Sequence, residues 1–263
     1  MVKKYSEHPI SWYLYQKHDF GNEIITPKLI QDFLTDSDPI EFFCPICKTD
    51  SLIRTRLHHQ NTISHDQDRN INESILTIAG NCQRGGHSSF YYIFHYRERK
   101  LTKIGQLPSS ADFDQSYYKK FARVLPEQYL KDLARASGLV SHSIGIGSFI
   151  YLRRVFEYII EDAHQRAKES SDFPEDQYLK SRMSEKIEIL KMELPLFITE
   201  NAQIYSILSK TIHELSEETA LKYFPVIKSS IEYILEEMLE KEQLKIKKTE
   251  LSSLIKEIHQ DLK

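Results

Sequence analysis

Three cysteines are all that this chain of 263 residues contains, and their spacing restricts its fold more than any other feature. They fall in two clusters, Cys44-Pro-Ile-Cys47 and Cys82-Gln-Arg-Gly-Gly-His87. Ligands two residues apart can turn back onto one tetrahedral ion. The second cluster adds another thiolate and an imidazole, across a Gly-Gly turn that permits a tight chain reversal. An odd count with two members this close argues for metal ligation in a reducing compartment rather than a disulfide framework, which places the chain in the cytoplasm. Four protein ligands leave no coordination position for water, so the expected ion is a structural zinc held by Cys44, Cys47, Cys82 and His87. His95 and His65 are the alternatives to His87.

The strands between and after the clusters supply a ribbon. Residues 51–58 and 73–80 have strand composition and flank the polar stretch 60–72, which reads as a long hairpin loop. A third strand, rich in aromatics, covers 88–96, and a short fourth covers 101–107 before Pro108. Ahead of these, residues 1–40 form an aromatic-rich packing arm with one short helix from Pro27 to Leu34, where Thr26 is the N-cap and Pro27 occupies the first turn.

Beyond residue 111 the periodicity becomes helical. Helices are expected at 115–123, 126–136, 141–169, 176–193, 197–213, 216–240 and 247–262, with a kink or break at Pro225. Leu251, Ile255, Ile258 and Leu262 recur at 4-3-4 spacing, like a coiled-coil seam under two heptads long that needs a partner surface. The chain is 40% hydrophobic with a net charge of −3, so it builds real cores and advertises no global basic field for nucleic acid. No apolar run approaches the roughly 18 residues of a membrane span, and no signal-peptide core opens the chain.

The longest helical pattern is Gly145–Ala167. Ile146, Phe149, Ile150, Phe156, Ile160, Ala163 and Ala167 share one face, widened by Leu152 and Ile159, while Arg153, Glu157 and His164 project from that face within roughly 40° of one another. Charges in an apolar seam are costly unless paired. Arg153 and Glu157, four residues apart, suit an ion pair across one turn, or Arg153 a bridge to Glu214. His164 suits a satisfied interface histidine, and His213 a cap on the carbonyls of its own helix. Tyr91, Tyr92 and Tyr96 with Arg97 and Arg99 suit core and rim, or stacking on bases.

Leu152-Arg153-Arg154-Val155-Phe156-Glu157 on this helix, followed by Ser209-Lys-Thr-Ile-His213-Glu-Leu-Ser216, resembles the HEPN superfamily, in particular a bacterial branch with an N-terminal metal-binding region. The resemblance covers about residues 136–240. It implies a helical bundle that dimerises, and for many members a metal-independent ribonuclease using an Arg-x4-6-His motif; others serve as binding or scaffold modules. If His213 is the motif histidine, the arginine belongs at 206, 207 or 208, where this chain has Ser206, Ile207 and Leu208. Lys210 lies too close to substitute, and Arg153 from the facing helix is the residue that would complete a catalytic set with Glu157 and His213.

The sequence therefore predicts an α+β protein: an arm over 1–40, a zinc-ribbon-like β domain over 41–110 and a HEPN-like helical bundle over 111–263. The expected function is that of a non-enzymatic binding, sensor or scaffold protein, a homodimer that recognises RNA or a protein partner, with an endoribonuclease as the alternative. A setting in bacterial stress or phage defence follows from the resemblance.

Overall fold

The computed structural model describes residues 3–4, 8–12, 14–21, 25–35, 38–65, 71–170 and 172–261. The protein is α+β: strands dominate the first part and helices the rest. It divides into two compact units, residues 1–117 with 137–144, and residues 118–136 with 145–263. The units interleave in sequence.

The first unit is built on one seven-stranded sheet, ordered β1-β3-β4-β5-β6-β7-β2. The strands are β1 (Lys3–Lys4), β2 (Lys17–Asp19), β3 (Ile40–Cys44), β4 (Thr49–His65), β5 (Ile71–Cys82), β6 (Phe90–Arg97) and β7 (Lys100–Leu107). β1 pairs with β3 in parallel and every other pairing is antiparallel. The expected arm thus closes both edges of the sheet and adds helix α1 (Pro27–Leu34), whose Thr26 hydroxyl accepts from Leu29 N at 3.2 Å as the cap predicted. Alternation sends Phe90, Tyr92, Phe94 and Tyr96 into a core shared with Ile10, Phe20, Ile30 and Leu34.

The long loop expected over 60–72 is largely strand. Gln60 pairs with Leu76, Asn61 with Ile75 and Thr62 with Ser74, so β4 reaches His65 and β5 begins at Ile71; residues 66–70 lie outside the described residues. A backbone ladder continues through polar side chains once register is set by Ile53, Leu76 and Ile78 on the buried face. Lys103 in β7 is fully buried, and its amine donates to the carbonyls of Ile10 and Trp12 at 2.5 and 2.8 Å and to Gln106 Oε1 at 2.5 Å, fastening the N-terminal segment to the sheet. Burial brings this amine down to about 7.

In chain order the helices after α1 are α2 (Ser110–Tyr118), α3 (Glu127–Ser141), α4 (Gly145–Ala167), α5 (Glu175–Lys180), α6 (Met183–Ile189), α7 (Leu196–Glu200), α8 (Gln203–Glu214) and α9 (Glu217–Asp261). The two helices expected at 176–193 and 197–213 are each broken. At the first break the Glu185 carboxylate accepts from Arg182 N at 2.7 Å and starts α6. The two expected at 216–240 and 247–262 are one. Residues 240–247 contain no helix breaker, and Pro225 is exposed, so water can reach the carbonyl it leaves without a donor.

α4 is the centre of the second unit, packed against α8 and α9. Phe149, Leu152, Phe156, Ile159, Ile160 and Ala163 of the expected face are buried, but Ser148 and Val155 join them and Ile150 is exposed, so the face is shifted to one side. Arg153 and Glu157 consequently stand at the rim of the face. The start of α4 is capped from α9, where Glu217 Oε2 accepts from Gly145 N at 2.5 Å and Ile146 N at 3.0 Å. A Cβ on Gly145 would come within 2.8–2.9 Å of Leu221 N, Ala220 Cβ and Glu217 O, so the close approach of the two helices requires glycine.

Candidate metal centre

Two matching turns bring the cysteine clusters together. β3 ends at Cys44 and the chain reverses with Lys48 N donating to Cys44 O at 2.7 Å; β5 ends at Cys82 and reverses with Gly86 N donating to Cys82 O at 2.9 Å. In each turn the residue four beyond the cysteine has positive φ, 56° at Lys48 and 65° at Gly86. Pairing of β3 with β4 and of β4 with β5 then fixes the turns beside each other at one end of the sheet, Ile53 lying opposite both Ile40 and Cys82.

The ligand atoms of Cys44, Cys47, Cys82 and His87 all lie within 4.8 Å of one another. His87 Nε2 is 3.5 Å from Cys44 Sγ and 3.4 Å from Cys47 Sγ, and Cys47 Sγ is 3.9 Å from Cys82 Sγ. A tetrahedral zinc with bonds of ~2.3 Å to sulfur and ~2.0 Å to nitrogen has edges of about 3.8 Å between sulfurs and about 3.5 Å between sulfur and nitrogen. Three of the separations lie close to those edges, and the cluster as a whole is compatible with a tetrahedral metal site. His87, among the candidates named from spacing, joins the cysteines. His95 instead lies in β6 with its Nε2 2.8 Å from Glu73 Oε1, and His65 ends β4 about 50 Å along the strand from Thr49.

The surroundings favour the thiolate at Cys82 and the thiol at Cys44. Burial pushes the Cys44 thiol up to about 11, against the N–H groups of Cys47 and Ile46 that point at its sulfur. Burial acts the same way on Cys82, but the Ser51 hydroxyl at 3.2 Å and the N–H groups of Gly85 and Arg84 outweigh it and bring the thiol down to about 7. A bound cation would lower both, because only the deprotonated sulfur ligates. Gly85 matters sterically: a Cβ there would lie 2.7 Å from His87 Cδ2 and 2.9 Å from Cys47 Sγ. Its role and that of Ser51 were not read from the sequence. The Gly-Gly pair was visible, but which glycine faces the ligands depends on the turn.

In the helical unit, Arg153 Nε donates to Glu157 Oε1 at 2.7 Å, and its Nη2 to the Tyr205 hydroxyl on α8 at 2.9 Å; that hydroxyl is 3.3 Å from the same carboxylate oxygen. The Glu157 carboxylate raises the guanidinium above its ordinary value, against a smaller effect of burial. The partner on α8 is thus Tyr205. His213 is exposed in the last turn of α8, eight residues on and about 12 Å farther along the axis. The structure therefore gathers two of the three named catalytic candidates. Arg154, the next residue of the motif, reaches Asp132 on α3 at 3.3 Å, where Arg135 also bonds it at 3.0 Å. His164 is buried, stacked on Tyr178 at 3.9 Å, with Nε2 2.9 Å from Glu175 Oε2.

No protein-family model matches the chain, and neither does any curated protein or solved structure. Among the described residues, no helix is long and apolar enough to cross a membrane.

Proposed function

We propose that the protein is a non-enzymatic binding module in which a structural zinc ion fixes one end of the sheet and the outer face of β4–β6 takes single-stranded RNA. The observation that carries this reading is a segregation of charge. The chain has a net charge of −3, yet β4, β5 and β6 carry Arg54, Arg56 and Arg97 against two carboxylates, Asp50 and Glu73, the second engaged by His95, while Glu98 just beyond β6 pairs with Arg97. Alternation turns Ile53 and Thr55 inward and exposes Arg54 and Arg56, and it turns Tyr92 inward and Tyr91 outward, where its ring meets His58 at 5.6 Å. Register aligns Arg56, Ala79 and Tyr91 across three strands, a span of about 10 Å. Guanidinium groups neutralise phosphates without regard to sequence, and an aromatic face takes a base. Three cysteine sulfurs and one imidazole within 4.8 Å of one another suit zinc among the common ions.

In this reading the helical unit is a scaffold, and its likeness to HEPN domains, many of which act on RNA, supports the same partner. A dimeric, cytoplasmic protein of bacterial stress or phage defence belongs to the same reading. The endoribonuclease alternative draws less support, since Arg153 is engaged by Glu157 and Tyr205 and His213 stands apart from them.

Fluorescence anisotropy with labelled oligouridine in magnesium-free buffer tests the reading. Arg54→Ala with Arg56→Ala should reduce the slope of log affinity against log salt by about 1.4, and Tyr91→Ala should weaken binding about tenfold. Absence of binding at low ionic strength refutes the RNA reading. Cleavage of the RNA in the same reactions, lost in Arg153→Ala, favours the enzyme.

A further inference from the structure

Asp132 on α3 is buried to 1% exposure. A charge so buried is tolerated only when it is paired. Its Oδ1 accepts from Arg135 Nη1 at 3.0 Å, and its Oδ2, which takes no hydrogen bond, is faced at 3.3 Å by Arg154 Nη1 from α4. The two guanidinium groups also stand 6.0 and 5.9 Å from the centre of the Tyr151 ring. One carboxylate and one ring thus hold two arginines as close neighbours. Arg154 is the half of the Arg153-Arg154 pair that Glu157 and Tyr205 leave over.

One arginine neutralises Asp132, so the second leaves a surplus positive charge. Both guanidinium groups are half-exposed, at 58% and 50%. Each carries five N–H donors, and among the described residues Asp132 and Tyr151 are the only polar or ring partners of either. Most of those donors therefore face water. The nearest other carboxylates along the two helices are engaged elsewhere, Glu127 by Lys131 at 2.8 Å and Glu157 by Arg153 at 2.7 Å. We propose that Arg135 and Arg154 form a clamp for a phosphate monoester, with Asp132 as the residue that positions them. A guanidinium presents two parallel N–H groups to two oxygens of an anion. A phosphate monoester has three terminal oxygens and close to two negative charges near neutral pH, so it can engage both arginines at once. A carboxylate or a phosphate diester, with two free oxygens, occupies one. The clamp lies wholly within the helical unit and does not depend on RNA binding by the sheet.

Titration of the full-length protein with methyl phosphate at about pH 7.5, followed by phosphorus NMR, measures it. Wild type should bind with a Kd of roughly 0.1–5 mM, and dimethyl phosphate, the corresponding diester, should bind about fivefold more weakly or worse. Arg135→Ala and Arg154→Ala should each weaken methyl phosphate about tenfold. Arg135→Lys and Arg154→Lys keep a counter-charge beside Asp132, and with it the fold, yet should each weaken binding about threefold because an ammonium cannot form the fork. Asp132→Asn separates positioning from charge. It makes the site more positive, which by itself tightens anion binding, whereas loss of the anchor that both arginines share should weaken binding about threefold. No saturation by methyl phosphate through about 20 mM, or wild-type affinity in both lysine variants, overturns the proposal. Equal affinity for the diester overturns the assignment of a monoester, and tighter binding by Asp132→Asn overturns the positioning role of Asp132.

Discussion

Replacing Gly85 by alanine places a methyl carbon 2.7 Å from His87 Cδ2, 2.9 Å from Cys47 Sγ and 3.0 Å from His87 Nε2. Comfortable separation between such atoms is about 3.5–4.0 Å, so the imidazole and the sulfur must withdraw by roughly half an ångström or more. Metal–ligand distances tolerate only about 0.2 Å, and at least one bond to the ion lengthens or breaks. The expected result is a loss of about 10- to 100-fold in zinc affinity, the size of effect seen when ligands are misoriented, or roughly 1.4–2.7 kcal/mol. Gly86→Ala is the control. Its φ of 65° makes alanine strained by about 1 kcal/mol, but nothing lies within 4 Å of the added carbon. Both variants should fold; only Gly85→Ala should give up zinc to a chromophoric chelator at markedly lower chelator concentration. Equal zinc affinity in Gly85→Ala and wild type, or an equal loss in Gly86→Ala, refutes the assignment of Gly85 as the residue that lets His87 and Cys47 meet.

Glu217→Ala removes the carboxylate that accepts from the first two N–H groups of α4, and should cost about 1–2 kcal/mol in urea unfolding, with Glu217→Gln recovering part of it. Tyr205→Phe should cost about 1 kcal/mol, and most of that cost should vanish in a Glu157→Gln background if the hydroxyl acts within the Arg153–Glu157 pair. The Lys103 amine sits near 7 when folded against an ordinary 10.5, so between these values the unfolded chain holds more protons and stability rises with pH. Wild-type stability relative to Lys103→Met should therefore climb by up to about 1.4 kcal/mol per unit between pH 7 and 10, and stay level below pH 7, where the amine is charged in both states. A difference that is flat or falls from pH 7 to 10 contradicts this.

The Cys/His cluster was legible because metal ligation imposes residue type and short spacing together. Cys44, Cys47, Cys82 and His87 could be named from two turns of the chain, whereas Tyr205 could not be paired with Arg153 because nothing local links residues 52 apart. The strands were found where aromatic and β-branched residues alternate, and were cut short at 60–65 and 71–72, where polar side chains hide a ladder made by the backbone. α4 was placed at its helix, yet its face was misjudged by the width of Ser148 and Val155, because which side of an apolar helix is buried depends on where α8 and α9 lie.

The sequence by itself determined the α+β class, the candidate metal-ligand set, the start of α1 and the apolar pattern of the α9 tail. Each rests on interactions within a few residues: caps, turns, ligand spacing and periodicity. Only the tertiary structure decided that a buried lysine fastens the N-terminal segment to the sheet, that Glu217 caps α4 from another helix, and that arginines and Tyr91 share one outer face of the sheet. Those outcomes depend on strand register and helix packing. Such contacts join positions far apart in the chain, and no local preference encodes which of many distant partners a residue will meet.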